Sequence, residues 1–368
     1  MKAYAVLRGF PGLGRVMSGM EILRMLRDEY GYETRLFTYF NGEPLANSME
    51  FEIEKIGQLD QESLTSIGIL PVGPLGANLI KSIIEWNPDI VIVDGEPLLI
   101  KTLSMVFPVE KIVALVNPCD IENLHTPISN NIFFRDSYLS SGITICHGFS
   151  CPQKTYNYHN NKLYYINTIL SNSILKIKEN RKCQLKSRPK RISCVLGGGT
   201  KNAPSTMFLS TIEIGKKVIE SADYLDEFCI DLFTNDDEIA NELDKHIKKD
   251  NVKIHREYCS SEELYMHTDI VICRSGRNTV SELIYLGIPA LLISAGSDFR
   301  GKEQMHNIIQ AERLSGGTIS GFDGTMSALS LSHIIKDKIK SNKINNCQFI
   351  PGNEQLKRIL KEFLTQND

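Results

Sequence analysis

Short apolar runs closed by Gly, Pro or Asp alternate along this chain with amphipathic stretches, the rhythm of buried parallel strands joined by helical crossovers. The runs at 3–8, 34–39, 90–94, 112–116 and 143–146 predict strands in the first half. Those at 192–196, 229–234, 252–255, 270–273 and 290–293 predict strands in the second. Helical periodicity marks 18–30, 206–221, 237–249, 279–286 and 353–365. The fold class is α/β. A strand, a glycine-rich turn and a helix open the chain and recur from residue 192, which predicts two lobes, 1–170 and 192–345. Between them, 171–191 carries Lys176, Lys178, Arg181, Lys182, Lys186, Arg188, Lys190 and Arg191 against Glu179 alone. That segment reads as an interdomain linker, with a solvated basic stretch and a face for phosphate or anionic lipid both open as its role.

The length of 368 residues, with 42% apolar and 23% charged positions, suits two independent cores at about 150 residues per domain. With 41 Lys+Arg against 44 Asp+Glu and a formal net charge of −3, no global field attracts nucleic acid, and none is expected as a partner. Nine cysteines, without a CxxC pair, point to a reducing cytoplasm; Cys194 and Cys273 sit inside apolar runs and read as core thiols. The opening residues 1–9 are too short an apolar run for a signal peptide, and no run approaches the ~18 apolar residues of a spanning helix. A soluble protein is expected, with room for peripheral contact at a membrane surface. Trp86, before Asn87-Pro88, is expected to pack a helix end.

Three segments carry candidate chemistry. After the first strand comes Gly9-Phe10-Pro11-Gly12-Leu13-Gly14-Arg15; its glycines let backbone approach a ligand or form a tight turn, and the spacing is not a dinucleotide fingerprint. The strand at 192–196 leads into Gly197, Gly198, Gly199 and Thr200, whose amides suit a phosphate. The third segment runs from His267 to Asn307: a buried strand, an Arg274-Ser275-Gly276 turn, a helix from about Asn278 with Ser281 and Glu282 in its early turns, Gly287-Ile288-Pro289, a second buried strand, and a polar loop holding Glu303, Gln304 and Asn307. An anion suits that helix N-terminus, and Glu282 can accept two hydrogen bonds from a ribose diol. Together these assign a nucleotide diphosphate.

The third segment resembles the donor-binding signature of glycosyltransferase family 28. The resemblance rests on Arg274-Ser275-Gly276, the Ser281-Glu282 pair, Gly287-Ile288-Pro289-Ala290, and Gln304 followed by Asn307. It implies a GT-B fold, two Rossmann-like domains with the active site in the cleft between them, and a C-terminal helix, here within 346–368, packing back on the first lobe. It implies that Glu282 binds uridine ribose, that the polar loop binds sugar hydroxyls, and that Gly197–Thr200 contacts the diphosphate. The family's Gly-Gly-His loop is absent; Gly12-Leu13-Gly14-Arg15 stands there instead. Residues 88–97, with Asp94-Gly95-Glu96-Pro97, are similar to a strand-then-Asp-x-Glu-Pro segment in a bacterial and archaeal branch of related glycosyltransferases.

Inverting transfer from a UDP-sugar, with UDP-N-acetylglucosamine the first to test, to an unidentified acceptor hydroxyl needs a base and stabilisation of the departing diphosphate. Asp94 or Glu96, past a buried strand, is the candidate base, with a turn carboxylate capping the next helix as the alternative. His125 and His147 are secondary candidates. Arg15 suits a phosphate or an acceptor carboxylate, and being always protonated cannot serve as the base. No Asp-x-Asp follows a strand, and Asn235-Asp236-Asp237 reads as a helix cap, so no metal and no cofactor is expected. Glycine-loop amides, the helix after Gly276, and Arg274 or Lys201 would serve the leaving group. A nucleotide-sugar hydrolase or epimerase, or a non-catalytic nucleotide-sugar-binding subunit, is the alternative function.

Overall fold

The computed structural model describes residues 1–9, 13–56, 74–122, 128–149, 154–158, 161–184, 189–196, 211–234, 236–256, 260–294, 299–341 and 349–367. The chain divides into one unit made of Met1–Ser171 with Gly352–Asp368 and another of Asn172–Pro351.

In the first unit, β1 (Lys2–Leu7) lies between β2 (Glu33–Phe37) and β3 (Ile90–Asp94), with Ala5 opposite both Leu36 and Ile92. β4 (Ile112–Val116) and β5 (Ile143–His147) extend this parallel sheet, and β7 (Asn161–Ile166) with the antiparallel edge strand β6 (Lys154–Tyr158) completes it in the order β2-β1-β3-β4-β5-β7-β6. Both faces are covered, so alternate residues of one strand feed two cores. Ala3, Ala5 and Leu7 join Met20, Leu23 and Leu26 of α1 (Gly14–Tyr30). Tyr4 and Val6 join Leu79 and Ile83 of α3 (Pro74–Trp86) and Ile100 and Leu103 of α4 (Pro97–Leu103). The remaining helices of this half are α2 (Gly42–Ser48), α5 (Pro118–Glu122) and α6 (Ile128–Tyr138). Trp86 closes α3, edge-on to Tyr4 with ring centroids 5.9 Å apart.

The first core is completed by the end of the chain. Helix α14 (Asn353–Asn367) carries Leu356, Ile359, Leu360 and Phe363 at helical spacing, and all four are buried in the core that also holds the α1 and β1 residues. Asn353 anchors its start by accepting from Leu170 N at 3.0 Å and donating to Leu170 O at 2.8 Å.

The second unit holds β8 (Lys190–Val195), β9 (Phe228–Phe233), β10 (Val252–His255), β11 (Ile270–Arg274), β12 (Ala290–Ile293) and β13 (Ile319–Gly321), all parallel, in the order β10-β9-β8-β11-β12-β13. Its helices are α7 (Asn172–Gln184), α8 (Thr211–Ser221), α9 (Asp237–Asp244), α10 (Ser261–Met266), α11 (Arg277–Leu286), α12 (Phe299–Leu314) and α13 (Ala328–Lys340). Each sheet is Rossmann-like. Strand order reverses between β1 and β3 in one and between β8 and β11 in the other, and in open α/β sheets ligands bind beyond the strand ends at such points.

Two expectations change. Residues 171–191 are largely helix: α7 packs on α10 and α11 within the second unit, burying Ile174, Ile177 and Arg181. The density of cations hides an apolar stripe, and Arg181 is buried because carbonyls receive its guanidinium. The stretch around 303–307, expected as a polar loop, lies in α12. At 236 the expected cap is present: the Asp236 carboxylate accepts from Glu238 N at 3.0 Å and Ile239 N at 3.2 Å. Cys194 and Cys273 are core, and burial pushes the Cys194 thiol up to about 12. Among the described residues no helix is long and apolar enough to cross a membrane.

Leu360→Ala empties a position 1% exposed and should cost the first unit about 2–5 kcal/mol. The single tryptophan, Trp86, belongs to that unit, so its fluorescence during urea denaturation isolates the effect. A cost below about 0.5 kcal/mol, the scale of a surface substitution, would show that α14 is not part of this core.

Candidate functional site

At the end of β11 the chain leaves the sheet through Arg274, which is half-buried, and Ser275, which is fully buried, and enters α11 with Gly276 extended at the cap position. The turn is fastened from several sides. Ser275 N donates to Ile293 O at 2.9 Å, Ser275 Oγ donates to Gln304 O at 2.8 Å, and Asn307 Nδ2 donates to Ser275 O at 2.9 Å. Helical hydrogen bonding in α11 starts with Val280 N to Gly276 O at 3.0 Å. The opening-turn amides precede that ladder and give the helix its positive end. Ser275, Gln304 and Asn307 thus meet in one clamp that ties α12 to the turn. Ser281 lies elsewhere: it is buried and donates to Arg277 O at 2.9 Å within the helix.

Glu282 lies further along α11, partly buried, with Oε2 accepting from Tyr265 Oη at 2.7 Å. Burial pushes its carboxyl up to about 7, and the Tyr265 hydrogen bond pulls the other way. Glu303 is half-buried on α12. Gly197, Gly198, Gly199, Thr200 and Lys201 lie outside the described residues.

In the first unit, the switch point gathers charge. Asp94, the last residue of β3, is 1% exposed, and its Oδ1 accepts from Arg15 Nη1 at 2.9 Å. The other Arg15 Nη donates to Asp120 Oδ2. Burial opposes charge on Arg15, and Asp120, Tyr138 and Asp94 outweigh it, so its proton is held more firmly than usual. Gly95 makes this approach possible: its φ is 86°, and a Cβ there would fall 2.7 Å from Arg8 Cβ and 2.8 Å from Arg15 Cδ. Gly9, after β1, is needed for the backbone itself, since a Cβ would fall 1.8 Å from Tyr39 O.

Glu96 holds the cap position of α4 but makes no capping bond; its Oε1 accepts from Tyr39 Oη instead. Glu96 is fully buried, and burial followed by the Glu96 charge raises Tyr39, so the phenol keeps its proton. His147 is buried at the end of β5, and His125 lies outside the described residues. Sequence reasoning missed Asp120, Tyr39, Tyr265 and Arg181. Asp120 and Tyr39 follow β4 and β2 at the end of the sheet that carries Asp94, and that position was the available signal.

Residues 217–345 match the family model described as the glycosyltransferase family 28 C-terminal domain. The chain has the GT-B fold, and within its second unit the matched segment resembles the C-terminal domain of family 28. Its fold is similar to that of the spinosyn forosaminyltransferase SpnP, at 14% identity and a TM-score of 0.62 over 99% of each chain. Acinetobacter baumannii MurG is similar at 11% identity and a TM-score of 0.56, over 98% of this chain and 100% of that one. The UDP-GlcNAc 2-epimerase of Neisseria meningitidis, bound to UDP-GlcNAc, is similar at 13% identity and a TM-score of 0.61 over 100% of both chains. At these identities the likeness of structures shows the fold alone. No curated protein matches the chain in sequence.

The matched segment contains the Ser275 clamp and Glu282. The raised Glu282 carboxyl has a measurable consequence. In the unfolded chain it ionises near its ordinary value of 4.5, and in the folded chain near 7, so between these values the folded state binds more protons. Its contribution to stability is present below the lower value and lost as pH rises through the upper one. Melting scans should therefore show native protein losing ground to Glu282→Gln between pH 5 and pH 8. An unchanged difference across that range would refute the burial assigned to this carboxyl.

Proposed function

We propose that this protein is a glycosyltransferase that moves a sugar from a UDP-sugar to an acceptor hydroxyl with inversion and without a metal. The observation that carries the reading is Glu282, a partly buried carboxylate on α11, the helix that leads out of the turn fastened by Ser275 and Asn307, within the family-matched segment. A ribose diol offers two donors to such a carboxylate. The positive end of α11 and Arg274 suit the pyrophosphate, and by resemblance the Gly197–Thr200 loop shares that task.

In the transfer, the acceptor oxygen forms a bond to the anomeric carbon as the bond from that carbon to the phosphate oxygen breaks. UDP leaves with the electron pair, and a base takes the acceptor proton. We assign that base to the Asp94 and Glu96 pair, with Glu96 favoured. Taking up a proton would cost Asp94 its charge-assisted bond to Arg15, whereas the partner of Glu96 is a neutral phenol. Arg15, engaged by two carboxylates, serves to hold Asp94 in place. A cytoplasmic location fits the free thiols of Cys119, Cys146, Cys194, Cys229 and Cys273.

The epimerase neighbour makes one competing outcome specific. Product analysis on UDP-N-acetylglucosamine separates the readings: transfer requires an acceptor, hydrolysis frees sugar without one, and epimerisation changes the sugar. At 100 times its dissociation constant UDP should stabilise the enzyme by about 2.7 kcal/mol; no shift with any uridine or thymidine nucleotide would end the donor assignment. Glu96→Gln should lower turnover by ~10²-fold with the UDP shift intact and the chelator-treated rate unchanged. If Glu96→Gln and Asp94→Asn both keep full turnover, the base lies elsewhere. UDP binding without turnover on any acceptor would favour a non-catalytic subunit.

A further inference from the structure

Glu282 does not stand alone on its helix. Tyr265 donates to its Oε2 at 2.7 Å, and the phenol that makes this bond is held at both ends of its own short helix. The start of α10 is closed by a capping box, with Glu263 N donating to Ser260 Oγ at 3.2 Å and Ser260 N donating to Glu263 Oε2 at 3.0 Å. Its end is held by Arg181, 6% exposed, whose Nη2 donates to Thr268 O at 2.7 Å and whose Nη1 donates to Tyr265 O. The Tyr265 ring is itself 2% exposed. With two side-chain torsions and packing on all sides, the hydroxyl has little freedom to leave the carboxylate.

We infer that Tyr265 is a positioning residue that fixes Glu282 as a hydrogen-bond acceptor and thereby makes the site selective for ribonucleotides over 2′-deoxyribonucleotides. The inference rests on the reading of Glu282 as the ribose-binding carboxylate. One phenol proton occupies one acceptor position on Oε2, which sets the rotation of the carboxylate plane and leaves acceptor capacity for two vicinal hydroxyls. A carboxylate so oriented gains from both hydroxyls of ribose, and a nucleotide lacking the 2′-hydroxyl leaves one acceptor position unused. The same phenol opposes protonation of Glu282, which burial otherwise favours; a protonated carboxyl would present a donor where the diol needs an acceptor. Arg181 belongs to this arrangement through the backbone of Tyr265, which gives the buried cation of α7 a role in the site.

Calorimetry with UDP and 2′-deoxy-UDP on the full-length enzyme tests this. Native protein should prefer UDP by about tenfold or more, a single hydrogen bond to a charged group. Tyr265→Phe, which keeps the ring, should weaken UDP by about tenfold with 2′-deoxy-UDP nearly unchanged. It should also move the pH midpoint of UDP binding upward, because the bond that favours the ionised carboxylate is gone. In a Glu282→Gln background the same Tyr265→Phe change should add less than about twofold, the mark of two residues acting through one contact. Glu282→Asp, which keeps the charge but withdraws it by one methylene, should erode the same preference without touching α10. Equal weakening of both nucleotides by Tyr265→Phe, or an unmoved pH midpoint, would overturn the inference and leave the Glu282 reading standing. Failure of native protein to bind UDP at all would overturn both.

Discussion

In β3, a parallel strand covered on both faces, charge appears only where the strand ends, and that constraint governs the head of the first sheet. β3 reads Ile90 to Val93 with every residue buried and only then reaches Asp94. Asp94 remains 1% exposed, so its charge depends on Arg15 reaching across from α1. Gly95 leaves room for that reach, and Asp120 engages the other side of the guanidinium. Removing the cation would strand two acids with little water to receive them, the costly way to break a buried pair. The charge arrangement at the head of the first sheet therefore acts as a unit, and the glycine between Asp94 and Glu96 is part of it.

In the second unit the acid Glu282 lies within helix α11 and meets the opposite electrostatics. Glu282 is bonded to a neutral phenol, so its charge is tolerated rather than enforced, and its proton leaves near 7. Asp94 is bound to a permanent cation, an opposite charge that favours its ionised form. On the reading proposed above, in which Glu282 accepts a ligand's hydroxyls, an uncommitted state is an advantage, because binding then supplies the hydrogen bonds that favour ionisation. The two units share a strand-order logic and differ in what partner the sequence sets beside each acid.

Much of this was legible before the structure. The apolar runs at 90–94, 112–116 and 270–273 appear as β3, β4 and β11, because a buried parallel strand announces itself by composition alone. The turn at Arg274-Ser275-Gly276 and the acids 94 and 96 stand at sheet ends, where α/β chemistry sits. What stayed hidden depended on partners distant in sequence. Tyr265 is 17 residues from Glu282 and Asp120 is 105 from Arg15, and nothing local marks either pair. Arg181 was masked by the cations around it, and only the packing of Ile174 and Ile177 shows which way it faces. Glu303, Gln304 and Asn307 looked like loop because polar residues crowd the first turns of α12, whose outer face is exposed at Met305 and Ile309.

The order of the chain adds a constraint on folding. The first unit leaves its sheet at Leu170 and recovers the missing part of its core only at Leu356, after the whole second unit has been made. Until then the first core lacks Leu356, Ile359, Leu360 and Phe363, and the apolar residues they cover are exposed. Such an exposed apolar stripe is the feature that makes a partly made multidomain chain prone to misassembly. Asn353 answers the geometric half of the problem. By satisfying both the N–H and the carbonyl of Leu170, it registers the returning helix against the last residues of the departing segment. Glu362 adds contacts to Lys162 at 3.5 Å and to Tyr164 at 3.3 Å on β7, and Lys357 reaches Glu29 on α1 at 3.2 Å. The ion pairs are exposed enough to contribute little energy. Their value is in register, since a helix slipped by one residue would lose the Asn353 pair and rotate its four apolar side chains off the core.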